Sequence, residues 1–244
     1  MIVLGAGRSG TSLVAGLLAD AGYHPGDRLL PPSEANPTGY FEDLDVNALN
    51  DELLAPLLRY GDPPVPARLS WLAALPPWAR PPATADQRDR MRAHLVRRPI
   101  CLKDPRFVFT LSAWRALLPP DAGFVCVFRH PSRVADSVRR EAERNPAYFA
   151  GYRPTDRATW TAWSAAYRHV MNRHAATGTW LWVDADELVE SRDTSELTRL
   201  AGVAVSPARI EAGLRRSVPE SLPGPDVTAL HERLRERARA GVRD

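Results

Sequence analysis

Three stretches of the 244-residue chain place anion-binding groups where an apolar run gives way to a helix. The first is Gly5-Ala6-Gly7-Arg8-Ser9-Gly10-Thr11-Ser12. Gly5, Gly7 and Gly10 satisfy the dinucleotide pattern GxGxxG, which requires a second strand soon after it and an acidic residue about 20 positions on. The chain instead enters Pro25–Asn36, rich in proline and poor in strand formers. Gly5 and Gly10 also have the spacing of a P-loop, but Thr11 stands where a phosphoryl-transfer enzyme carries its lysine. A kinase with a degenerate P-loop, using Ser12 as its magnesium hydroxyl, therefore stays open as an alternative. Common to all these readings is a cradle of backbone N–H groups at a helix N-terminus, ringed by Arg8, Ser9, Thr11 and Ser12, suited to a phosphate. The second stretch runs from Arg129 to Ser137. An arginine fork just past a strand and a hydroxyl two turns into the next helix form a phosphate clamp. The third is Lys103, the only lysine among 32 cationic side chains. It reads either as a surface partner of Asp104 or as a compact ammonium able to follow charge onto a leaving oxygen.

The elements that position these groups follow from periodicity. Ile2–Leu4, Pro99–Leu102, Gly123–Phe128 and Trp180–Val183 are short continuous apolar runs, the pattern of strands buried on both faces. Helical spacing is expected over Thr11–Ala21, Phe107–Leu118, Pro131–Arg144 and Thr159–His174. Two further helices are expected near Ser195–Ala201 and Val227–Ala240. Strands alternating with helices predict a single α/β domain over residues 1–244, a parallel sheet flanked by helices, with ligands beyond the carboxyl ends of the strands. Arg8, Lys103 and Arg129 all fall on that edge. Residues 61–84 interrupt the pattern with seven prolines, together with Trp71 and Trp78. They are expected to form an irregular insertion with a helical turn near Trp71–Leu75, either a plain surface loop or a lid or acceptor-site wall. Trp71, Trp78, Tyr40 and Phe41 are candidates to line a cleft, and Trp160 and Trp163 are expected in the core.

Composition narrows the class. Hydrophobic residues at 44% and charged residues at 25% match a globular chain rather than a disordered or collagenous one. No apolar run reaches the roughly 18 residues of a membrane helix. Met1-Ile2-Val3-Leu4 offers no secretion-type leader, and Cys101 and Cys126 are read as reduced core residues of a cytoplasmic protein rather than a disulfide or metal cluster. A net charge of +3 is modest. The arginine-rich His231–Arg243 segment carries Glu232 and Glu236, so it reads as a solvated helix, not a nucleic-acid surface.

Taken together, these residues resemble the sulfotransferases that use 3′-phosphoadenosine 5′-phosphosulfate (PAPS). Arg8-Ser9-Gly10-Thr11-Ser12 is similar to that family's loop for the 5′-phosphosulfate. Arg129 and Ser137 have the spacing of its 3′-phosphate pair, and Lys103 is similar to its strand-end lysine. Asn36-Pro37-Thr38-Gly39-Tyr40-Phe41-Glu42-Asp43 is similar to a segment of bacterial members. The resemblance implies a P-loop-like nucleotide site holding PAPS, and its product PAP, through Gly7, Arg8, Ser9, Gly10, Thr11, Ser12, Arg129 and Ser137. It further implies a small-molecule hydroxyl or amine acceptor, such as a natural product or glycoside, and no metal. Pro105 stands where cytosolic members carry a histidine. The base is therefore expected to be a carboxylate, as in bacterial and Golgi-type relatives: Glu42 first, then Glu34, with Asp104 third. Leu13 replaces the aromatic that stacks on adenine in many members. Arg215 and Arg216 are the candidates for a C-terminal basic loop at the 3′-phosphate. Catalysis then rests on Glu42 or Glu34 with Lys103 and Arg8.

Overall fold

Each strand is a run of residues buried on both faces. β1 (Ile2–Leu4), β2 (Leu102–Lys103), β3 (Phe124–Phe128) and β4 (Trp180–Asp184) pair in the order β2-β1-β3-β4, all parallel. The computed structural model describes residues 1–34, 36–210 and 221–243. The period-two alternation of side chains divides the core into two layers. Val3, Val125, Val127, Leu181 and Val183 face one side; Ile2, Leu4, Phe124, Cys126 and Phe128 face the other.

Against the first face pack α1 (Thr11–Asp20) and, later in the chain, α7 (Ala185–Ser191) and α8 (Ser195–Ala201). The second face carries α2 (Leu44–Leu54), α4 (Phe107–Arg115), α5 (Pro131–Arg144), α6 (Asp156–Arg173) and α9 (Pro225–Arg239). A charged helix, α3 (Ala85–Ala93), contributes only Met91 to this core. The fold is therefore α/β with a parallel sheet covered on both faces, as the alternation predicts.

Three helices, α2, α3 and α7, each start at a side-chain cap. Asp43 caps α2 by accepting from Asp45 N and Val46 N, and a Thr84–Gln87 capping box starts α3. α7, seven residues long, is capped by Asp184. The insertion 61–84 forms a 3-10 helix over Ala67–Leu72, a few residues before the turn expected at Trp71–Leu75. α9 is not a free basic surface: Leu230 and Leu234 are buried and Arg237 lies over the Trp182 ring, 5.2 Å from its centroid. Among the described residues no helix is long and apolar enough to cross a membrane. Cys101 and Cys126 are buried free thiols, and burial pushes Cys101 up to about 11.

Candidate active site

β1 lies between β2 and β3, so the chain leaves it first to one side and later to the other. That reversal opens a crevice beyond the carboxyl ends of the strands. The β1–α1 turn crosses it. Gly10 has φ 89°, and a Cβ there would lie 2.7 Å from the Ala185 methyl. At Gly7 a Cβ would lie 2.2 Å from the Trp71 ring, so the insertion packs directly on the turn. Arg8 adopts the left-handed region at φ 67°. α1 begins without a side-chain cap and with no acidic residue in its first turn, so its N-terminal dipole is offset by no carboxylate of that turn.

Both phosphate-type stretches meet across this crevice. Arg8 Nε donates to Ser137 Oγ at 3.1 Å, and its Nη1 lies 3.9 Å from Glu141 Oε2. Ser137 thus bridges to the first turn, whereas sequence spacing aimed it at Arg129. Arg129 instead donates from Nε to Asp186 Oδ1 at 3.0 Å, and Trp163 Nε1 donates to its carbonyl at 3.2 Å. His130 Nδ1 accepts from Ser132 N and caps α5, and burial lowers the pKa of this ring.

Lys103 pairs with Val3 in the sheet register and is 2% exposed, so it is not a surface partner of Asp104. Its Nζ donates to Glu42 Oε1, while Asn47 Nδ2 donates to Glu42 Oε2 at 2.9 Å. Asp104 turns the other way, to Arg106 Nη1 at 3.1 Å and Asn50 Nδ2 at 2.9 Å. Burial pushes the Asp104 carboxyl up to about 6, against the pull of Arg106. Burial also opposes the Arg106 charge, but Asp104 and Asp51 outweigh it and keep the guanidinium protonated. Ser70 Oγ accepts from Arg106 Nε at 2.8 Å and ties the insertion to this network.

One cavity of about 880 Å³ collects these groups. Gly7, Arg8, Gly10, Thr11, Ser12, Glu42, Lys103, Arg129 and Ser137 all line it. Ser9 does not: it is fully buried and bonds inward to Tyr167. Glu34 is exposed and lies outside the lining. Arg215 and Arg216 lie outside the described residues. Of the four candidate cleft aromatics, Tyr40 and Trp71 line the cavity. Trp78 is 54% exposed against Tyr60, and Phe41 packs under Arg209, so neither joins the lining. Trp163 is buried, and Trp160 is partly exposed. Sequence reasoning missed Asn47, Asp51, Arg106, Tyr148 and Asp186, all at the cavity wall. The first two were signalled by the Asp43 cap and the apolar spacing Val46, Leu49, Leu53 of α2. Among the described residues no group of three or more His, Cys, Asp or Glu side chains is placed to hold a metal ion.

A parallel α/β sheet whose glycine-rich first turn opens, with flanking cations, onto a cleft at its carboxyl edge defines the class. The chain belongs to the sulfotransferase family, which matches residues 1–193. It is also similar to a solved structure described as "Sulfotransferase Domain from the Curacin Biosynthetic Pathway", at 15% identity over 96% of each chain and a TM-score of 0.55, a likeness of fold. No curated protein sequence matches.

Proposed function

We propose that this sulfotransferase moves a sulfuryl group from PAPS to a hydroxyl or amine of a small-molecule acceptor. One observation carries the reading: Arg8, Lys103 and Arg129, from three different strand ends, line one cavity together with a carboxylate, Glu42. That donor set fits an adenosine bearing anionic groups at two positions. The β1–α1 turn, with Arg8, Thr11 and Ser12 at the bare start of α1, suits the 5′ group. Arg129 and Ser137 suit the 3′-phosphate. Leu13, Ala185 and Val189 give the same wall an apolar patch for a base.

When bound, PAPS supplies an activated sulfuryl group whose leaving oxygen gathers negative charge. Lys103 is placed to meet that charge. Glu42, held at one oxygen by Lys103 and at the other by Asn47, serves as general base for the acceptor proton. A loose transition state of this type, like that of phosphoryl transfer, leaves positioning and charge stabilisation as the chain's main contributions. The resemblance to PAPS-dependent sulfotransferases supports transfer without a metal, and the missing Walker lysine fits a site that moves no γ-phosphate.

The acceptor wall is the opposite side, built by Trp71 and Arg68 of the insertion with Tyr40, Tyr148, Leu30 and Pro31. Its polar groups are largely tied to one another: Trp71 Nε1 to Tyr148 Oη at 3.1 Å, and Ser33 Oγ to Tyr40 Oη at 2.6 Å. The surface left for an acceptor is chiefly ring and aliphatic. Two buried free thiols suit a reducing compartment, the cytoplasm.

Thermal unfolding with PAP, ATP plus magnesium, and NAD tests the donor. A ligand at 100 times its Kd adds about 2.7 kcal/mol, so PAP alone should raise the Tm. A shift with magnesium-ATP and none with PAP overturns the reading in favour of a kinase. Labelled PAPS with a panel of hydroxylated acceptors then tests transfer.

A further inference from the structure

We propose that the Tyr167 hydroxyl is a positioning group that sets the β1–α1 turn and couples it to the strand that leads into Arg129. By helical spacing Tyr167 is a core ring on α6, and its ring contacts bear that out: Trp163 at 4.7 Å and Phe128 at 6.4 Å between centroids. A phenylalanine would meet the same neighbours. The hydroxyl is therefore extra, and burying it costs free energy unless it is hydrogen-bonded.

Its partners are the two ends of the turn and the adjacent strand. Ala6 N donates to Tyr167 Oη at 3.1 Å. Ser9 Oγ shares a hydroxyl–hydroxyl bond with it at 3.0 Å. The phenol donates to the Val127 carbonyl at 2.8 Å, two residues before Arg129. Ser9 N also donates to Ala6 O at 3.2 Å, closing the loop around Gly7 and Arg8. Between these anchors Arg8 is held at positive φ, a conformation disfavoured for a residue that carries a Cβ. One buried oxygen thus restrains the strained residue and fixes the turn's height above β3. Ser9, a ligand candidate by sequence, acts here as the turn's anchor to this oxygen.

The inference rests on the PAPS reading for its consequence but not for its geometry, and the test separates the two. Tyr167→Phe, which keeps the ring, should weaken PAP binding by calorimetry about 3- to 10-fold, the value of one net hydrogen bond. The KM for PAPS should rise in step, with acceptor KM unchanged. Without ligand, amide hydrogen exchange across residues 5–10 should quicken relative to wild type. Ser9→Ala should share part of the same loss, so that the double variant falls short of the summed effects. Exchange and PAP affinity both unchanged, with only a lowered Tm, would make Tyr167 a packing residue and overturn the proposal. A wild-type protein that fails to bind PAP would instead overturn the donor reading, and exchange in the turn would still decide the role of Tyr167.

Discussion

The two walls of the cavity are built by different means. The wall proposed for the donor is made of strand ends and helix starts: the β1–α1 turn, Arg129 entering α5, and Ala185 and Asp186 entering α7. Its shape follows from backbone geometry, with glycines where neighbouring chains come too close for a Cβ. The wall proposed for the acceptor comes from segments outside the sheet: residues in 30–51, and the proline-rich 61–84, which is joined to Tyr148 through Trp71 and Arg68. A rigid frame can be read from local pattern. A wall assembled from distant side chains cannot, and it is also where acceptor choice is expected to vary. Lys103 and Glu42 stand at the join.

The largest effect should come at that join. Lys103→Ala and Glu42→Gln should each lower kcat by about 10²–10³, the usual loss of one electrostatic contact to developing charge, with a smaller change in PAPS affinity. Steady-state kinetics with both substrates varied decides this. A fall confined to KM would move the pair from chemistry into binding and blur the boundary between the walls. On the donor side, Arg129→Ala should cut PAP affinity by about 10- to 100-fold, a charge-assisted bond being worth about 1.5–3 kcal/mol, while kcat changes little. Loss of kcat without loss of affinity would contradict a purely anchoring role.

The contact between the walls is testable at Gly7. Gly7→Ala pushes a methyl into Trp71 and should cost about 1–3 kcal/mol of stability by urea unfolding, as overpacking does. Adding Trp71→Ala should return part of it, and Trp71→Ala alone should raise acceptor KM with PAPS KM unchanged. If the double variant is no more stable than Gly7→Ala, the walls do not meet there.

Acid should give the smallest effect near neutrality. Burial depresses His174, the C-cap of α6, to about 3 and His169, within α6, to about 4; Arg173 Nε of the same helix donates to Pro77 O of the insertion. These folded-state values lie below the unfolded 6.5. Their contribution is therefore present above pH 6.5 and is lost as pH falls toward 4, by roughly 1 kcal/mol per pH unit for each histidine. The urea midpoint of His174→Leu should then change less than that of wild type between pH 7 and pH 5. Parallel changes would clear this histidine of any part in acid lability.

Three of the four strands fall within a residue of their apolar runs, whereas β2, at Leu102–Lys103, starts three residues later than the run Pro99–Leu102; Pro131–Arg144 and Ser195–Ala201 match the observed helices. Those signals are local: buried strands of a parallel sheet are apolar throughout, and Pro131 marks a helix start. The helix at Leu44–Leu54 directly follows a proline-rich stretch, and its signal is confined to the Asp43 cap and the spacing Val46, Leu49, Leu53. Ala85–Ala93 carries almost no apolar face, so only its capping box betrays it.

From its own residues the chain determined a parallel sheet, a glycine-rich turn at the start of a helix and three cations at one edge. Each of these is encoded within a few consecutive positions by backbone preference and burial. The tertiary structure alone decided that Glu42 rather than Glu34 meets Lys103, across 61 positions of sequence. It also decided that Ser137 bonds Arg8, that Ser9 turns inward to Tyr167, and that Trp71 closes on Gly7. Such contacts depend on how whole layers pack, and no local pattern carries that information.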